Sequence, residues 1–198
     1  MIGLGFLASG NGTSLRAIVQ AIESGDLRAQ ARLVVSNRSA AQALRFAREH
    51  GVATRVIATV ADAEAADAAL AEALTEAGVD LVVLSGYLRR IGPRTLRAYR
   101  NRILNIHPAL LPDFGGEGMY GRRVHEAVAA SGALLTGASV HLVDDEYDRG
   151  AVVARVELPV GPGEIAEEIE RRVMAVEPSL FVQTLQRIAA GTLRLPAP

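Results

Sequence analysis

The sequence predicts an α/β protein on a doubly wound, mainly parallel sheet, with an antiparallel addition in its C-terminal part. Three observations carry this. Up to residue 107, short apolar runs alternate with stretches of helical periodicity, the rhythm of strand–helix–strand units that build parallel sheets. One of these runs, Leu81-Val82-Val83-Leu84, is apolar at every position, as a strand covered on both faces should be. After Pro112 the rhythm changes to two strand-like runs joined by an acidic turn, which reads as an antiparallel pair.

The elements follow in order. Ile2 to Ala8 predicts a first buried strand, and its Gly3 and Gly5 are expected to weaken it slightly. Ser9 to Ser14 forms a tight loop. Leu15, Ile18, Val19 and Ile22 then recur at helical spacing up to Gly25, a suitable C-cap. Leu33 to Ser36 predicts the second strand, Ala40 to Glu49 a helix closed at Gly51, and Ala53 to Ile57 the third strand. Asp62 to Ala77 is an Ala-rich helix followed by Gly78, and Asp80 to Leu84 the fourth strand. Pro93 opens a short helix, and Arg102 to Ile106 makes the fifth strand. Beyond Pro112, the Gly-rich run Asp113 to Gly121 predicts a flexible loop, and Arg122 to Ala130 a helix. Ala133 to Val143 and Ala151 to Leu158 predict the antiparallel strands. Pro162 to Ala190 is a long helical pattern in which Pro178 should start, kink or interrupt a helix. Leu195 to Pro198 is expected to fray.

Composition narrows the class. At 198 residues the chain can bury a sizeable core. A hydrophobic content of 49% with net charge −1 gives no basic excess to attract nucleic acid or an anionic membrane. No apolar stretch reaches the ~18 residues of a membrane span. The absence of cysteine removes disulfides and thiolate metal sites and points to a reducing compartment. Met1 leads directly into an apolar run without a positive segment, so no signal peptide is expected, and the expected location is the cytoplasm.

Four stretches could carry chemistry. In Leu104-Asn105-Ile106-His107-Pro108-Ala109-Leu110-Leu111-Pro112, the two-residue spacing of Asn105 and His107 puts both side chains on one side of an extended strand. The amide can donate to a developing oxyanion, and the imidazole can exchange a proton near neutral pH. On these nine residues alone, a turn-capping Asn and a merely hydrogen-bonded His fit as well. The loop Gly10, Asn11, Gly12, Thr13, Ser14 lies between a strand and a helix. Its glycines let amides approach an anion, and the helix N-terminus favours negative charge. It is neither Gly-x-Gly-x-x-Gly nor a Lys-bearing P-loop, and an ordinary turn with a Ser/Thr cap is the alternative. Ser85 to Pro93 follows the fourth strand at the carboxyl edge of the sheet, where ligands of parallel sheets sit. The acidic turn Asp144 to Gly150, preceded by His141, lacks the ligand spacing of an EF-hand and otherwise reads as a solvated hairpin.

The combination is more specific than its parts. Ala-Ser-Gly-Asn-Gly-Thr-Ser at 8–14, Leu-Ser-Gly-Tyr-Leu-Arg-Arg-Ile at 84–91 and Leu-Asn-Ile-His-Pro-Ala-Leu-Leu-Pro at 104–112 occur in order. Gly-Ala-Ser-Val-His-Leu-Val-Asp-Asp-Glu-Tyr-Asp-Arg-Gly follows at 137–150. Together they resemble the glycinamide ribonucleotide formyltransferases of the folate-dependent formyltransferase family, over nearly the whole chain. The resemblance implies a Rossmann-like formyltransferase fold as a single domain over 1–198. Residues 1–107 would be its phosphate-binding half and 108–198 its folate-cleft half. It implies that an amine of glycinamide ribonucleotide attacks the formyl group of the co-substrate 10-formyltetrahydrofolate, in purine synthesis, without a metal.

By the same resemblance Asn105, His107 and Asp148 are catalytic, with Asp148 raising the pKa of a protonated His107, and His141 supports them. Gly10 to Ser14 would take the substrate phosphate and Glu177 its amine end. Leu88, Arg89, Arg90, Ile91, Asn105, Val143, Asp144 and Asp145 would line the folate site. A cis Leu111–Pro112 bond is implied too. The sequence departs from the family at Pro178, directly after Glu177, where His is usual, and at Val182, where the family has Pro. The Gly115 to Gly121 loop resembles one branch of the family and is expected to move when substrate binds. Methionyl-tRNA formyltransferase and formyltetrahydrofolate hydrolase share the catalytic stretch but carry further domains for which this length leaves no room. A non-catalytic phosphate-binding module would have no need of Asn105, His107 and Asp148 together.

Overall fold

The computed structural model describes residues 1–59 and 62–198. Its elements run β1 (Ile2–Leu7), α1 (Thr13–Glu23), β2 (Ala29–Ser36), α2 (Gln42–Glu49), β3 (Ala53–Val56), α3 (Ala63–Glu76), β4 (Leu81–Leu84), α4 (Pro93–Ala98), β5 (Ile103–His107), α5 (Arg122–Ser131), β6 (Leu135–Leu142), β7 (Val152–Pro159) and α6 (Ala166–Ala189). The strands form one seven-stranded sheet in the order β3-β2-β1-β4-β5-β6-β7. The first five are mutually parallel, and β6 and β7 add antiparallel beside β5. This is the predicted doubly wound sheet with its antiparallel addition.

Side-chain alternation along the strands divides the core between the two faces. Leu4, Phe6, Val34, Leu81, Val83 and Leu104 join α1, α2 and α6 on one face. Leu7, Leu33, Val35, Val82, Leu84 and Ile103 join α3 on the other. Because β1 and β4 are central, their carboxyl ends form a single edge from which the loops at 8–14 and 85–92 rise side by side.

Several expectations change. The second strand starts at Ala29 rather than Leu33, because pairing of Ile2 to Leu4 with Ala29 to Ala31 extends it beyond its apolar run. Gly3 and Gly5 are required rather than weakening. A Cβ at Gly3 would lie 2.5 Å from the Gly78 carbonyl oxygen, and one at Gly5 within 2.9 Å of Leu74 and Val79. Helix α6 begins at Ala166, four residues after Pro162, and runs unbroken through Pro178. The 195–198 segment is held in place: Leu195 packs on the core, Arg102 donates to the Pro196 carbonyl (2.8 Å) and Asn101 to that of Ala197 (2.6 Å). The Leu111–Pro112 bond is cis.

Candidate active site

β5 brings Asn105 and His107 to the seam between the parallel and antiparallel parts of the sheet. Asn105 lies directly opposite His141, and His107 opposite Ser139, in the β5–β6 ladder. The period of two along both strands therefore collects Asn105, His107 and His141 on one face. Asn105 Nδ2 lies 3.1 Å from His141 Nε2, and His141 Nδ1 lies 2.9 Å from the Leu142 carbonyl oxygen. Since a carbonyl only accepts, Nδ1 carries a hydrogen, while Nε2 faces both the Asn105 amide and an Asp148 carboxylate oxygen. His141 thus fixes the orientation of Asn105 and leaves its second amide hydrogen to donate elsewhere.

Asp148, in the turn after β6, joins the two imidazoles. Its carboxylate oxygens lie 3.5 Å from His107 Nδ1 and 3.4 Å from His141 Nε2, and it accepts from the Gly116 amide at 3.1 Å. Asp148 adopts a left-handed φ of 56°, unusual outside glycine. Burial pushes its carboxyl pKa up, but the His141 contact, the His107 charge and the Gly116 amide outweigh burial and hold it below the usual carboxylate range. His107 is 3% exposed, and its Nε2 donates to the Phe114 carbonyl at 2.7 Å.

The direction for His107 differs from the sequence expectation. Burial lowers the imidazole pKa more than Asp148 and the Phe114 carbonyl raise it, so the resting ring is neutral at neutral pH. Asp148 acts in the expected sense but does not win. The Gly-rich loop also begins less freely than its composition suggests. Phe114 and Gly116 are bonded to His107 and Asp148, and a Cβ at Gly115 would meet Leu111 at 2.4 Å and Asp148 at 3.0 Å.

A cleft of about 340 Å³ opens beside this cluster. Its lining includes Asn11 to Ser14, Ile106 and Pro108 flanking the catalytic strand end, and Met174 and Glu177 of α6. Gly12 is the N-cap of α1 with φ 67°, and no side chain caps the helix among the described residues, which disfavours the ordinary capped turn. The opening amides of a helix have no intrahelical acceptor, so the loop presents Thr13 and Ser14 as donors for an anion. Glu177 faces the opposite side. Burial there raises its carboxyl pKa to about 7. Pro178 leaves the helix intact around it, so the departure at 178 does not remove Glu177 from the cleft.

The folate-side residues separate. Leu88 is 61% exposed at the sheet edge. Arg90 crosses to the acidic turn, donating to the Asp145 carbonyl at 2.6 Å with its guanidinium 5.7 Å from the Tyr147 ring. Arg89, Asp144 and Asp145 are exposed, and Val143 packs partly buried. Ile91 does not line a surface: it is 5% exposed in the core against α3, because the chain turns inward before α4. Among the described residues no group of three or more His, Asp or Glu could hold a metal ion.

With this geometry in view, a family model described as formyl transferase matches residues 4–185. The chain belongs to the formyl transferase family. An Escherichia coli phosphoribosylglycinamide formyltransferase is 35% identical over 191 residues, 96% of this chain and 88% of that one. The chloroplastic phosphoribosylglycinamide formyltransferase of Vigna unguiculata is 36% identical over 187 residues, 93% of this chain, which spans 60% of the plant protein's length. Among solved structures, glycinamide ribonucleotide transformylase 1 from Symbiobacterium toebii has a TM-score of 0.89 at 36% identity, covering all of this chain and 92% of that one.

The chain also brings to the cleft residues that sequence reasoning missed. Arg16 Nε donates to the Asn11 carbonyl at 3.0 Å and its guanidinium lies 4.6 Å from the Phe46 ring, which puts a cation behind the loop at 10–14. A basic residue in the first turn of an anion-binding helix was the available signal. His125 of α5 lines the cleft, 2% exposed, its Nδ1 without a partner among the described residues. A single His between Val124 and Val128 gives no such signal in sequence.

Proposed function

We propose that this chain transfers the formyl group of 10-formyltetrahydrofolate to the amine of glycinamide ribonucleotide, the formyl transfer of purine biosynthesis. The observation that carries the reading is the joined cluster Asn105–His141–Asp148–His107 beside a cleft whose far wall is a helix N-terminus capped by Gly12. A phosphate held by the amides around Gly12, Thr13 and Ser14 directs the rest of a ribonucleotide along the cleft, past Glu177, toward Ile106 and Pro108. Leu88, the Arg90–Asp145 bridge and the exposed acidic turn form the wall assigned to the folate.

Attack of the amine on the formyl carbon puts negative charge on the formyl oxygen and a proton in excess on nitrogen. Asn105, oriented by His141, supplies the hydrogen-bond donor for that oxygen. His107 is neutral at rest, with its hydrogen on Nε2 and its bare Nδ1 toward Asp148; once that hydrogen sits on Nδ1 against the carboxylate, Nε2 takes the proton from the amine and Asp148 stabilises the resulting cation. Asp148 then acts on a charge that arises during turnover rather than on a permanent one. The Phe114 carbonyl holds the Nε2 hydrogen of His107 in the resting site, so the loop after Pro112 must release it before that nitrogen can serve substrate.

The whole chain acts as one domain in this reading, residues 1–107 supplying the phosphate side and 108–198 the folate side. Its partners are small molecules rather than nucleic acid or membrane, and its setting the cytoplasm, in keeping with the net charge of −1. Purified protein supplied with both substrates should yield formylated ribonucleotide and tetrahydrofolate in equal amounts. Folate hydrolysis without formylated ribonucleotide would overturn the reading.

A further inference from the structure

Two buried serines tie the substrate loops together. Ser9, at the start of the phosphate loop, is 2% exposed. Its hydroxyl donates to Asn37 Oδ1 at 2.6 Å, which commits its one hydrogen, and accepts from the Leu88 amide at 2.9 Å. Leu88 belongs to the loop assigned to the folate. Ser85, at the start of that second loop, is 3% exposed, and its hydroxyl accepts from the Leu15 amide of α1 at 3.0 Å. Leu15 is the third residue of α1, directly after Thr13 and Ser14, so Ser85 takes the next free amide and sets the orientation of the two before it. Two backbone bonds, Ser9 N to Gly86 O (3.1 Å) and Ser85 N to Leu7 O (2.8 Å), hold the same strand ends in register.

We infer that Ser9 and Ser85 are positioning residues that couple the two substrate sites crosswise. The hydroxyl from the phosphate side fixes the folate loop, and the hydroxyl from the folate side fixes the phosphate cradle. The inference rests on the proposed function for the identity of the two ligands. A serine in a turn that merely stabilised its own loop would act on the ligand of that loop; Ser9 acts instead on the folate loop, while Ser85, which also lines the ribonucleotide cleft, fixes the phosphate cradle from the neighbouring strand end. The backbone ties remain in either variant, so the loops stay folded while the aim of one amide changes.

Direct binding tests this without turnover. Tetrahydrofolate and ribose 5-phosphate are titrated calorimetrically into the wild-type chain and the Ser9→Ala and Ser85→Ala variants. Losing one buried hydrogen bond corresponds to a change of about 5- to 10-fold in Kd. Ser9→Ala should weaken tetrahydrofolate by that factor and leave ribose 5-phosphate within about 2-fold; Ser85→Ala should do the reverse. Asn37→Ala, which frees the Ser9 hydroxyl to turn away from Leu88, should weaken tetrahydrofolate in the same sense and serves if Ser9→Ala does not fold. Uncrossed losses, or equal losses for both ligands in each variant, would overturn the coupling while leaving the function intact. A wild-type chain that binds neither ligand would instead count against the proposed function.

Discussion

The two walls of the cleft are made of different material. The parallel half presents free backbone amides at the head of α1, with Gly12 at φ 67° leaving their approach open. Amides do not titrate, so this wall can bind an anion at any ordinary pH but cannot move a proton. The seam with the antiparallel half is built from side chains that do titrate, Asp148 and two histidines, drawn together by the β5–β6 register and the turn after β6. The contrast separates binding from chemistry. Damage to the first wall should appear in KM, and damage to the second in kcat and its pH dependence.

The largest effects are expected at the seam. Asp148→Asn keeps the shape but removes the charge that receives the His107 cation, and kcat should fall about 10³-fold or more with little change in either KM. His107→Ala should cost as much, and the double variant scarcely more, since the pair acts as one unit. Glu146→Gln in the same turn should keep near-normal turnover. With burial holding the His107 pKa low, the acid limb of kcat should fall below the usual imidazole range. Removing the raising influence of Asp148 should move it lower still. Additive losses, or equal effects at 146 and 148, would break the contrast.

Asn105→Ala should lower kcat by roughly 10²-fold as an oxyanion donor is lost. His141→Ala should act in the same direction but less, because it orients the donor rather than providing it. Steady-state rates with both substrates saturating rank the two.

On the other wall, Gly12→Val should raise the KM for the ribonucleotide at least about 10-fold while sparing that for the folate. Any side chain there meets Ala43 Cβ at 3.0 Å in a left-handed backbone, whereas a Cβ at Gly10 meets nothing within 4 Å. Gly10→Ala should therefore be far milder, and equal effects at 10 and 12 would reduce the loop to a turn.

The smallest effect is on stability. Glu177 titrates near pH 7 when folded and near 4.5 when unfolded, so between those values the folded chain binds the extra proton. Its contribution is fully present below about pH 4.5 and is lost as pH rises through about 7, a change on the order of 3 kcal/mol. Thermal unfolding should show Tm declining across that window, and Glu177→Gln should flatten the slope. A slope unchanged by the substitution would remove Glu177 as its source.

The parallel sheet with its antiparallel addition, and the shared side of Asn105 and His107, were legible in the sequence because alternation and the Asn-x-His spacing are local signals that tertiary packing preserves. The extension of β2 to Ala29 was not, since it depends on β1 as a partner and not on its own apolar pattern. Ile91 was expected at the folate wall by resemblance alone, and its burial at the inward turn before α4 has no signal in the local sequence. The neutral state of His107 was equally hidden. Sequence shows the carboxylate that raises an imidazole pKa but not the depth of burial that lowers it. Gly3 and Gly5 look like defects until the α3–β4 turn is seen resting on them.

The contacts of Asn101 and Arg102 with the 196–197 carbonyls join positions 94 to 96 apart in the chain. They act as a clasp: β6, β7 and α6, with Asp148 and Glu177, lie on a loop closed at its base just before β5 begins. Opening that loop at its end removes the closure restraint on this long stretch, so the clasp adds to the free energy of partially unfolding the seam. Amide exchange in β7 and α6 should therefore accelerate together when Asn101 and Arg102 are both replaced by alanine, while β1 to β4 keep their protection.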